Sequence, residues 1–169
     1  MLRMSEGFGM EIYTVSLFGH RKIHDVMKIE KELEKIVCNL LLSREYVEFI
    51  VGRSGEFDLL AASVIRRCQR KIRTDNSSLI LVLPYSSADF VRNEDFFLEY
   101  YDEVEICPAS SVAHFKAAYQ LRNKYMIQRS DLVIFYVCRP SGGAYQTLKY
   151  AEKLSMDYIN LDKNEKDSQ

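Results

Sequence analysis

Residues 132–154 read LVIFYVCRPSGGAYQTLKYAEKL, and this stretch carries a complete unit of strand, turn and helix. Leu132 to Val137 is apolar throughout rather than alternating, which is typical of a parallel strand covered by helices on both faces of its sheet. A turn with Gly142 and Gly143 follows, and a helix is predicted to begin at Ala144.

The same alternation of strand-like and helix-like segments runs from residue 12 to residue 161. The predicted strands are 12–18, 46–51, 79–83, 103–106, 132–137 and 157–161. The predicted helices are 23–42, 57–72, a short one at 96–100, one from 110 or 111 to 128, and 144–154. Strands that alternate with helices pair in parallel, so the sequence predicts an α/β fold with a mainly parallel sheet and helices on both faces.

Composition sets further expectations. The 169 residues predict a single domain over 1–169, with an ordered core at about 11–161 and a polar, frayed tail at 162–169. The net charge of -1 predicts no nucleic-acid partner, because neutralising phosphates needs a basic surface. No apolar run approaches the ~20 residues of a membrane span, so no membrane partner is expected. The four cysteines have no CxxC spacing, which predicts reduced thiols in a cytoplasmic protein without zinc.

Three turns that contain glycine follow predicted strands. They are Gly19-His20-Arg21, then Gly52-Arg53-Ser54-Gly55-Glu56-Phe57-Asp58, then Ser141-Gly142-Gly143 with Thr147 one turn on. The carboxyl ends of parallel strands meet at one sheet edge, where glycine allows close approach and helix N-termini suit phosphate or carboxylate. No Walker A, GxGxxG or GxSxG motif is present. Together the turns predict one site for a nucleotide-like ligand.

The polar side chains of these turns suit an anion, and each also has a simpler structural explanation. Arg21 and Arg53 fit phosphate or an acid linked to ribose, or they are solvated surface residues. Asp58 fits a ribose hydroxyl or general-base work, or it favours the dipole of the helix that begins beside it. His20 and His24 stand four apart, but no third ligand has a convincing spacing, so no metal site is predicted.

In the order of these motifs the chain resembles the SLOG superfamily. The resemblance is to the small bacterial proteins related to YpsA and the domain called DUF1273 in particular. The matching residues are Phe18 to Arg21, Val51-Gly52 to Phe57-Asp58, Arg122-Asn123 to Met126, Ser130-Asp131 and Gly142 to Ala144. The resemblance runs from about Ile12 to Leu161. It implies a Rossmann-like, doubly wound fold that binds nucleotides or signals derived from them. Other members are DprA, the Lonely Guy phosphoribohydrolases and ligand-sensing domains of bacterial conflict systems.

The Lonely Guy enzymes act on nucleoside monophosphates with an arginine before the penultimate strand and a glutamate in a PGGxGTxxE motif. Arg122 matches that arginine, and Thr147 matches the threonine of the motif. Lys149 and Tyr150 occupy the region of the glutamate, and Ser141 replaces the proline. A carboxylate is needed there to stabilise a ribosyl cation or to activate water. Its loss counts against hydrolysis, but it leaves phosphate binding intact.

The leading hypothesis is a module that senses or sequesters a nucleotide or an ADP-ribose-like ligand, with no cofactor firmly predicted. The predicted ligand-binding residues are Gly19, His20, Arg21, Gly52, Arg53, Gly55, Phe57, Asp58, Arg122, Asn123, Gly142, Gly143 and Thr147. One alternative is a hydrolase of nucleoside monophosphates or NAD, with Asp58 or Glu56 replacing the missing glutamate. A second alternative is a scaffold with a vestigial pocket. The apolar stretch at 96–100 is either an interface patch of a homodimer or part of the core.

Overall fold

A computed structural model describes residues 3–4 and 9–162, and its centre is a seven-stranded sheet. The strands are β1 (Arg3–Met4), β2 (Glu11–Gly19), β3 (Tyr46–Val51), β4 (Ser77–Leu83), β5 (Glu103–Ile106), β6 (Leu132–Tyr136) and β7 (Tyr158–Asn160). Six of them are parallel in the order β5-β4-β3-β2-β6-β7, and the short β1 pairs antiparallel with β2. The predicted α/β, Rossmann-like fold is confirmed. The predicted frayed tail falls, from residue 163 onward, outside the described residues.

Helices cover both faces of this sheet. They are α1 (Val26–Ser43), α2 (Glu56–Lys71), α3 (Ala88–Arg92), α4 (Glu94–Tyr100), α5 (Pro108–Ser111), α6 (Phe115–Gln128) and α7 (Gly143–Lys153). Phe49 packs in a core cluster with residues of α1, α2 and α4, whereas its neighbour Ile50 packs with residues of α6 and α7. Side chains alternate between the faces of a strand, so a strand between two helical layers must be apolar at both positions.

The helix predicted to run from residue 110 or 111 to 128 is divided into α5 and α6. Ser110 turns its hydroxyl back to the carbonyl oxygens of Pro84 and Cys107, at 2.6 and 3.3 Å, which competes with helix propagation. A new N-terminus then forms at His114, whose side chain accepts a hydrogen bond from the Lys116 N–H. The sequence pattern also did not predict β1 or α3.

The predicted apolar stretch at 96–100 is divided between core and surface. Phe97 is 2% exposed and packs in the core, whereas Phe96 and Leu98 are each 52% exposed. Among the described residues, no helix combines the length and the apolarity needed to cross a bilayer.

The strand order reverses between β2 and β6. From β2 the chain adds β3, β4 and β5 on one side, and it then returns to place β6 on the other side of β2. The turns that leave β2 and β6 therefore run in opposite directions and leave a crevice between them, which is where open α/β sheets bind ligands.

Candidate functional site

A cavity of about 270 Å³ opens at this crevice, and a second of about 190 Å³ adjoins it. Ser54, Tyr119 and Arg122 line both cavities, and we call the two together the cleft. Of the predicted site residues, those that line the first cavity are Gly19, His20, Arg21, Asp58, Arg122, Asn123, Gly142 and Gly143. Arg53 lines the second cavity. Neither cavity is lined by the other four predicted residues, which are Gly52, Gly55, Phe57 and Thr147.

Arg122 is the buried cation of the cleft, with 4% of its surface exposed. Its Nη1 donates to the Val82 carbonyl oxygen at 3.2 Å, and its Nε donates to Asn123 Oδ1 at 3.0 Å. No ion pair within 4.0 Å joins its guanidinium to a carboxylate of the described residues. Burial lowers its pKa, and the charge of Asp58 counteracts part of that effect. A buried guanidinium without a direct counter-ion has donors left for an anion.

A short chain of hydrogen bonds fixes the direction of Arg122. Asn123 accepts from Arg122 Nε through Oδ1 and donates through Nδ2 to Thr147 Oγ1 at 3.0 Å. The Thr147 hydroxyl donates in turn to the Gly143 carbonyl oxygen at 2.8 Å. Thr147 is 2% exposed, so its hydroxyl connects α6 to the first turn of α7 rather than facing the cavity.

Gly52 makes room for the charged groups at the end of β3. A Cβ atom at this position would lie 2.8 Å from Arg122 Nη1 and 3.0 Å from Asp58 Oδ2. Real Cβ atoms essentially never approach other atoms so closely, so the guanidinium could not keep its place beside an alanine. Gly52 therefore acts on the site through Arg122 and Asp58.

Asp58 lies in the first turn of α2 and is 8% exposed. Its Oδ2 accepts from the Ser54 N–H at 2.8 Å, so it holds the turn that precedes the helix. Burial raises the pKa of its carboxyl group, and the Ser54 N–H and the charge of Arg122 counteract part of that rise. Asp58 thus has a structural hydrogen bond and faces the same cavity as Arg122.

Two further glycines allow the first two turns to pack together. A Cβ on Gly19 would meet the ring of Phe57 at 2.3 Å, and a Cβ on Gly55 would meet the Arg21 Cα at 2.6 Å. Phe57 is fully buried and stacks on Tyr136 with ring centroids 6.0 Å apart. Phe57 is therefore a packing residue under the site, although the sequence pattern placed it among the ligand contacts.

The N-terminus of α7 faces the first cavity through Gly142, Gly143 and Ala144. Gly142 precedes the helix with a φ of 91°, a conformation that glycine adopts without strain. The first turn of α7 carries no acidic residue, whereas the first turn of α2 carries Glu56 and Asp58. The free N–H groups and the positive end of the α7 dipole are therefore open to an external anion.

His20 faces the same cavity from the turn after β2. It is 3% exposed, and its Nε2 is buried without a hydrogen-bond partner among the described residues. Burial lowers its pKa, and the nearby charges of Arg139 and His24 lower it further. Buried polar atoms normally have partners, so Nε2 is an atom that a ligand can satisfy.

Sequence reasoning missed several side chains of the cleft. Arg139 and Gln120 line the first cavity, and Tyr119 lies between the two cavities. Tyr119 and Gln120 precede Arg122 and Asn123 by three residues, a spacing that places them on the same helix face and that could have identified them. Tyr85 lines the second cavity and contacts the Tyr119 ring edge to face, with ring centroids 6.1 Å apart.

The acid nearest to the missing glutamate does not lie in the cleft. Glu152 is exposed and accepts hydrogen bonds from Lys149 Nζ at 3.0 Å and from the Tyr158 hydroxyl at 2.9 Å. Among the described residues that line the first cavity, Asp58 is the only carboxylate. The cleft thus combines cations and helix N–H groups with one buried acid, Asp58, and the exposed Asp89 lines its second cavity.

Comparison with known proteins bears on the fold. No protein-family model matches the chain, and no curated protein matches it. A solved structure of DNA processing protein A from Helicobacter pylori, described for its unique single-stranded DNA binding mode, matches with a TM-score of 0.60 and 17% identity. The match covers 86% of this chain and 63% of that chain, so it spans just under two thirds of the neighbour. The two chains share a fold.

This neighbour corrects one prediction. The net charge of -1 predicted no nucleic-acid partner, yet a chain with the same fold is described as binding single-stranded DNA. The exclusion was wrong because phosphates respond to the local potential of a cleft, not to the sum over the whole surface. Arg21, Arg122 and Arg139 line one cavity of this cleft, and Arg53 lines the other, despite the overall balance.

Proposed function

We propose that the cleft binds the phosphate group of a nucleotide or of a nucleotide-derived ligand. The observation that carries the proposal is Arg122, a buried guanidinium without a direct counter-ion that lines a cavity beside the open N-terminus of α7. An unpaired buried charge is costly, and an anionic ligand relieves that cost. The buried Nε2 of His20 offers a further contact for phosphate oxygen.

The cleft also suits the remainder of a nucleotide. Its two cavities, of about 270 and 190 Å³, together fall in the range of roughly 300–1,000 Å³ that is usual for small-molecule sites. Tyr85 and Tyr119 offer ring faces and edges for a base, and Asp58 offers an acceptor for a ribose hydroxyl. We favour binding over N-glycosidic hydrolysis because the acid nearest to the missing glutamate, Glu152, is exposed and lines neither cavity of the cleft.

We further propose that the chain is a SLOG-type protein of the YpsA-related branch. The shared fold with DNA processing protein A supports the superfamily, and the order of the motifs supports the branch. The four free cysteines fit a reducing compartment such as the cytoplasm.

A thermal-shift screen tests the binding proposal. The panel contains nucleoside mono-, di- and triphosphates, ADP-ribose and the matching unphosphorylated nucleosides. A ligand at ~100 times its dissociation constant adds about 2.7 kcal/mol to the free energy of unfolding, which raises Tm by roughly 5–10 °C for a chain of this size. We expect phosphorylated ligands to give this shift and unphosphorylated nucleosides to give much less.

Two variants locate the site in that screen. Arg122→Met removes the buried guanidinium, and Arg70→Met removes an exposed arginine of α2 that does not line the cleft. We expect the first variant to lose the shift and the second to keep it. If no phosphorylated ligand stabilises the protein, or if Arg122→Met responds like Arg70→Met, the proposal is wrong.

A second candidate is single-stranded nucleic acid, and a specific observation favours it. Arg53 and Arg122 line a cavity with Tyr85 and Tyr119, a combination of cations and aromatic rings that suits a phosphate backbone with stacked bases. The solved neighbour, which shares this fold, is described for its single-stranded DNA binding mode.

Oligonucleotides of one base type, measured by fluorescence anisotropy at several salt concentrations, test this candidate. Binding to a strand predicts that affinity rises with length and falls steeply with salt, and that Tyr119→Ala costs about 1–3 kcal/mol for oligonucleotides. A mononucleotide that binds as tightly as any oligonucleotide would contradict it and leave the small ligand as the function.

A further inference from the structure

Two cysteines and a glutamate meet where α1 packs against α2, away from the cleft. Cys38 Sγ lies 3.3 Å from Cys68 Sγ, and both thiols are free. A carboxylate oxygen of Glu34 and the two sulfur atoms all lie within 4.8 Å of one another. In the described part of the chain, no other group of three or more such side chains comes this close.

We propose that Glu34, Cys38 and Cys68 form a binding site for a thiophilic divalent cation such as Zn²⁺. Glu34 and Cys38 stand four apart on α1, which places both ligands on one face of the helix. Cys68 completes the set from α2, thirty residues farther along the chain. Zinc takes sulfur ligands at ~2.3 Å and carboxylate oxygen at ~2.0–2.2 Å, so atoms within 4.8 Å of one another can share one ion after a small rotation.

The burial of these ligands suits a cation that enters from solvent. Cys68 is fully buried, whereas Cys38 and Glu34 are half-buried and border the surface. Both thiols lose their protons to solvent as the two sulfur–metal bonds form. Three protein ligands leave the fourth position of a tetrahedral zinc ion to water.

The surrounding charges also balance. Two thiolates and one carboxylate carry three negative charges, and a divalent cation leaves one of them uncompensated. Arg67 and Lys71 contact Glu34 at 3.4 and 3.5 Å and compensate the remaining charge. Arg67 has its closer partner in Glu30 at 2.8 Å, so Glu34 can turn one oxygen to the cation while Arg67 stays in place.

Titration with Cd²⁺ tests the site, since cadmium thiolates absorb in the ultraviolet. The protein is first reduced with a phosphine and freed of metal with a chelator. We expect an absorption band that saturates at one Cd²⁺ per chain, release of two protons per ion, and displacement by an excess of Zn²⁺. X-ray absorption of the cadmium-bound protein is expected to count two sulfur ligands together with oxygen, and this measurement needs no variant.

Variants assign the ligands. Cys38→Ser is expected to weaken binding at least about 100-fold and Glu34→Gln about 10-fold. Cys138→Ser is the matched control, because Cys138 is also half-buried and lies outside the cluster. Circular dichroism of the metal-free variants checks that each is folded. Saturation below half an ion per chain, one or no sulfur ligand, or equal binding by Cys38→Ser and Cys138→Ser overturns the proposal.

Discussion

Arg122 and Arg129 lie seven residues apart, one within α6 and one at its C-terminal end, and both are largely buried. Arg129 Nη1 donates to Glu105 Oε2 at 2.6 Å, and Arg129 Nη2 lies 3.9 Å from Glu48 Oε2. Arg122 has no such ion pair among the described residues and bonds only to neutral oxygens. The same helix region thus carries Arg129, which is paired with glutamates, and Arg122, which has no ion pair among the described residues.

The two guanidinium groups respond in opposite ways to their surroundings. Burial lowers the pKa of Arg129, but the hydrogen bond and the charge of Glu105 outweigh that effect and raise it overall. Burial also lowers the pKa of Arg122, and the charge of Asp58 does not restore it. Burial of a cation alone therefore indicates nothing about function. A buried cation next to a cavity and without an ion pair is the one that indicates a ligand.

The largest effect is expected for Arg129→Met on stability. The substitution leaves Glu105 and Glu48 without their cation, and breaking a buried pair in this way costs about 3 kcal/mol. The lower end of the usual range applies because both glutamates keep 22% of their side chains exposed. Urea unfolding measures the loss. We expect the folded variant to keep its thermal response to nucleotides.

The double variant Arg129→Met with Glu105→Gln serves as the control. Removing the charge of Glu105 together with its partner is expected to restore part of the lost stability. If Arg129→Met costs no more than Arg122→Met, the distinction between the paired and the open arginine does not hold.

The next largest effect is expected at Arg122, where a substitution should reduce ligand affinity rather than stability. Arg122→Met is expected to weaken the binding of a phosphorylated ligand by roughly 30- to 100-fold, about 2–2.7 kcal/mol, because a charge-assisted contact is lost in a buried site. The free energy of unfolding without ligand is expected to change by less than about 1 kcal/mol, since an apolar side chain replaces a desolvated cation. Calorimetric titration and urea unfolding measure the two quantities on the same samples. A loss of stability with unchanged affinity would assign Arg122 a structural role.

The sequence pattern predicted the strands well because apolar runs are local, as at Leu132–Tyr136. It also predicted that the three glycine turns lie at one edge of the sheet, because the carboxyl ends of parallel strands meet there. It did not separate Phe57, which packs under Gly19, from residues that face the cavity. It did not distinguish Arg122 from Arg129 either, because the partner of Arg129 comes from β5 and is settled by tertiary packing.

The same limit applies to the cysteines. A search for short spacings between cysteines excludes zinc, yet Cys38 and Cys68 meet across two helices. Only the packing of α1 on α2 brings together ligands that are thirty residues apart.

Gly52→Ala tests how Arg122 keeps its position. We expect a smaller effect than that of removing the Arg122 guanidinium. The new Cβ would lie 2.8 Å from Arg122 Nη1, so the end of that side chain must move. We expect about 10-fold weaker ligand binding, because the guanidinium leaves its productive geometry. In the Arg122→Met background the same change is expected to cost almost nothing. Equal losses in both backgrounds would place the effect of Gly52 elsewhere, and a double-mutant cycle measures the difference.

The smallest effect concerns His20, which is expected to make both stability and ligand affinity depend on pH. Burial lowers its pKa in the folded protein below the value of about 6.5 in the unfolded chain, so the unfolded state takes up the proton first. The stability of the ligand-free protein should therefore fall as the pH drops below about 6.5, and His20→Gln should remove that part of the loss.

A bound phosphate would favour the charged imidazole, so the ligand and a proton bind together at His20. We expect the ratio of wild-type affinity to His20→Gln affinity to rise a few-fold between about pH 8 and pH 6. Protonation of the phosphate itself is common to both proteins and cancels in this ratio. Nuclear magnetic resonance of the His20 ring is expected to show a higher pKa in the complex than in the free protein. A pKa that does not change on binding would mean that Nε2 does not face the phosphate, and Arg122 would then act with the α7 N-terminus alone.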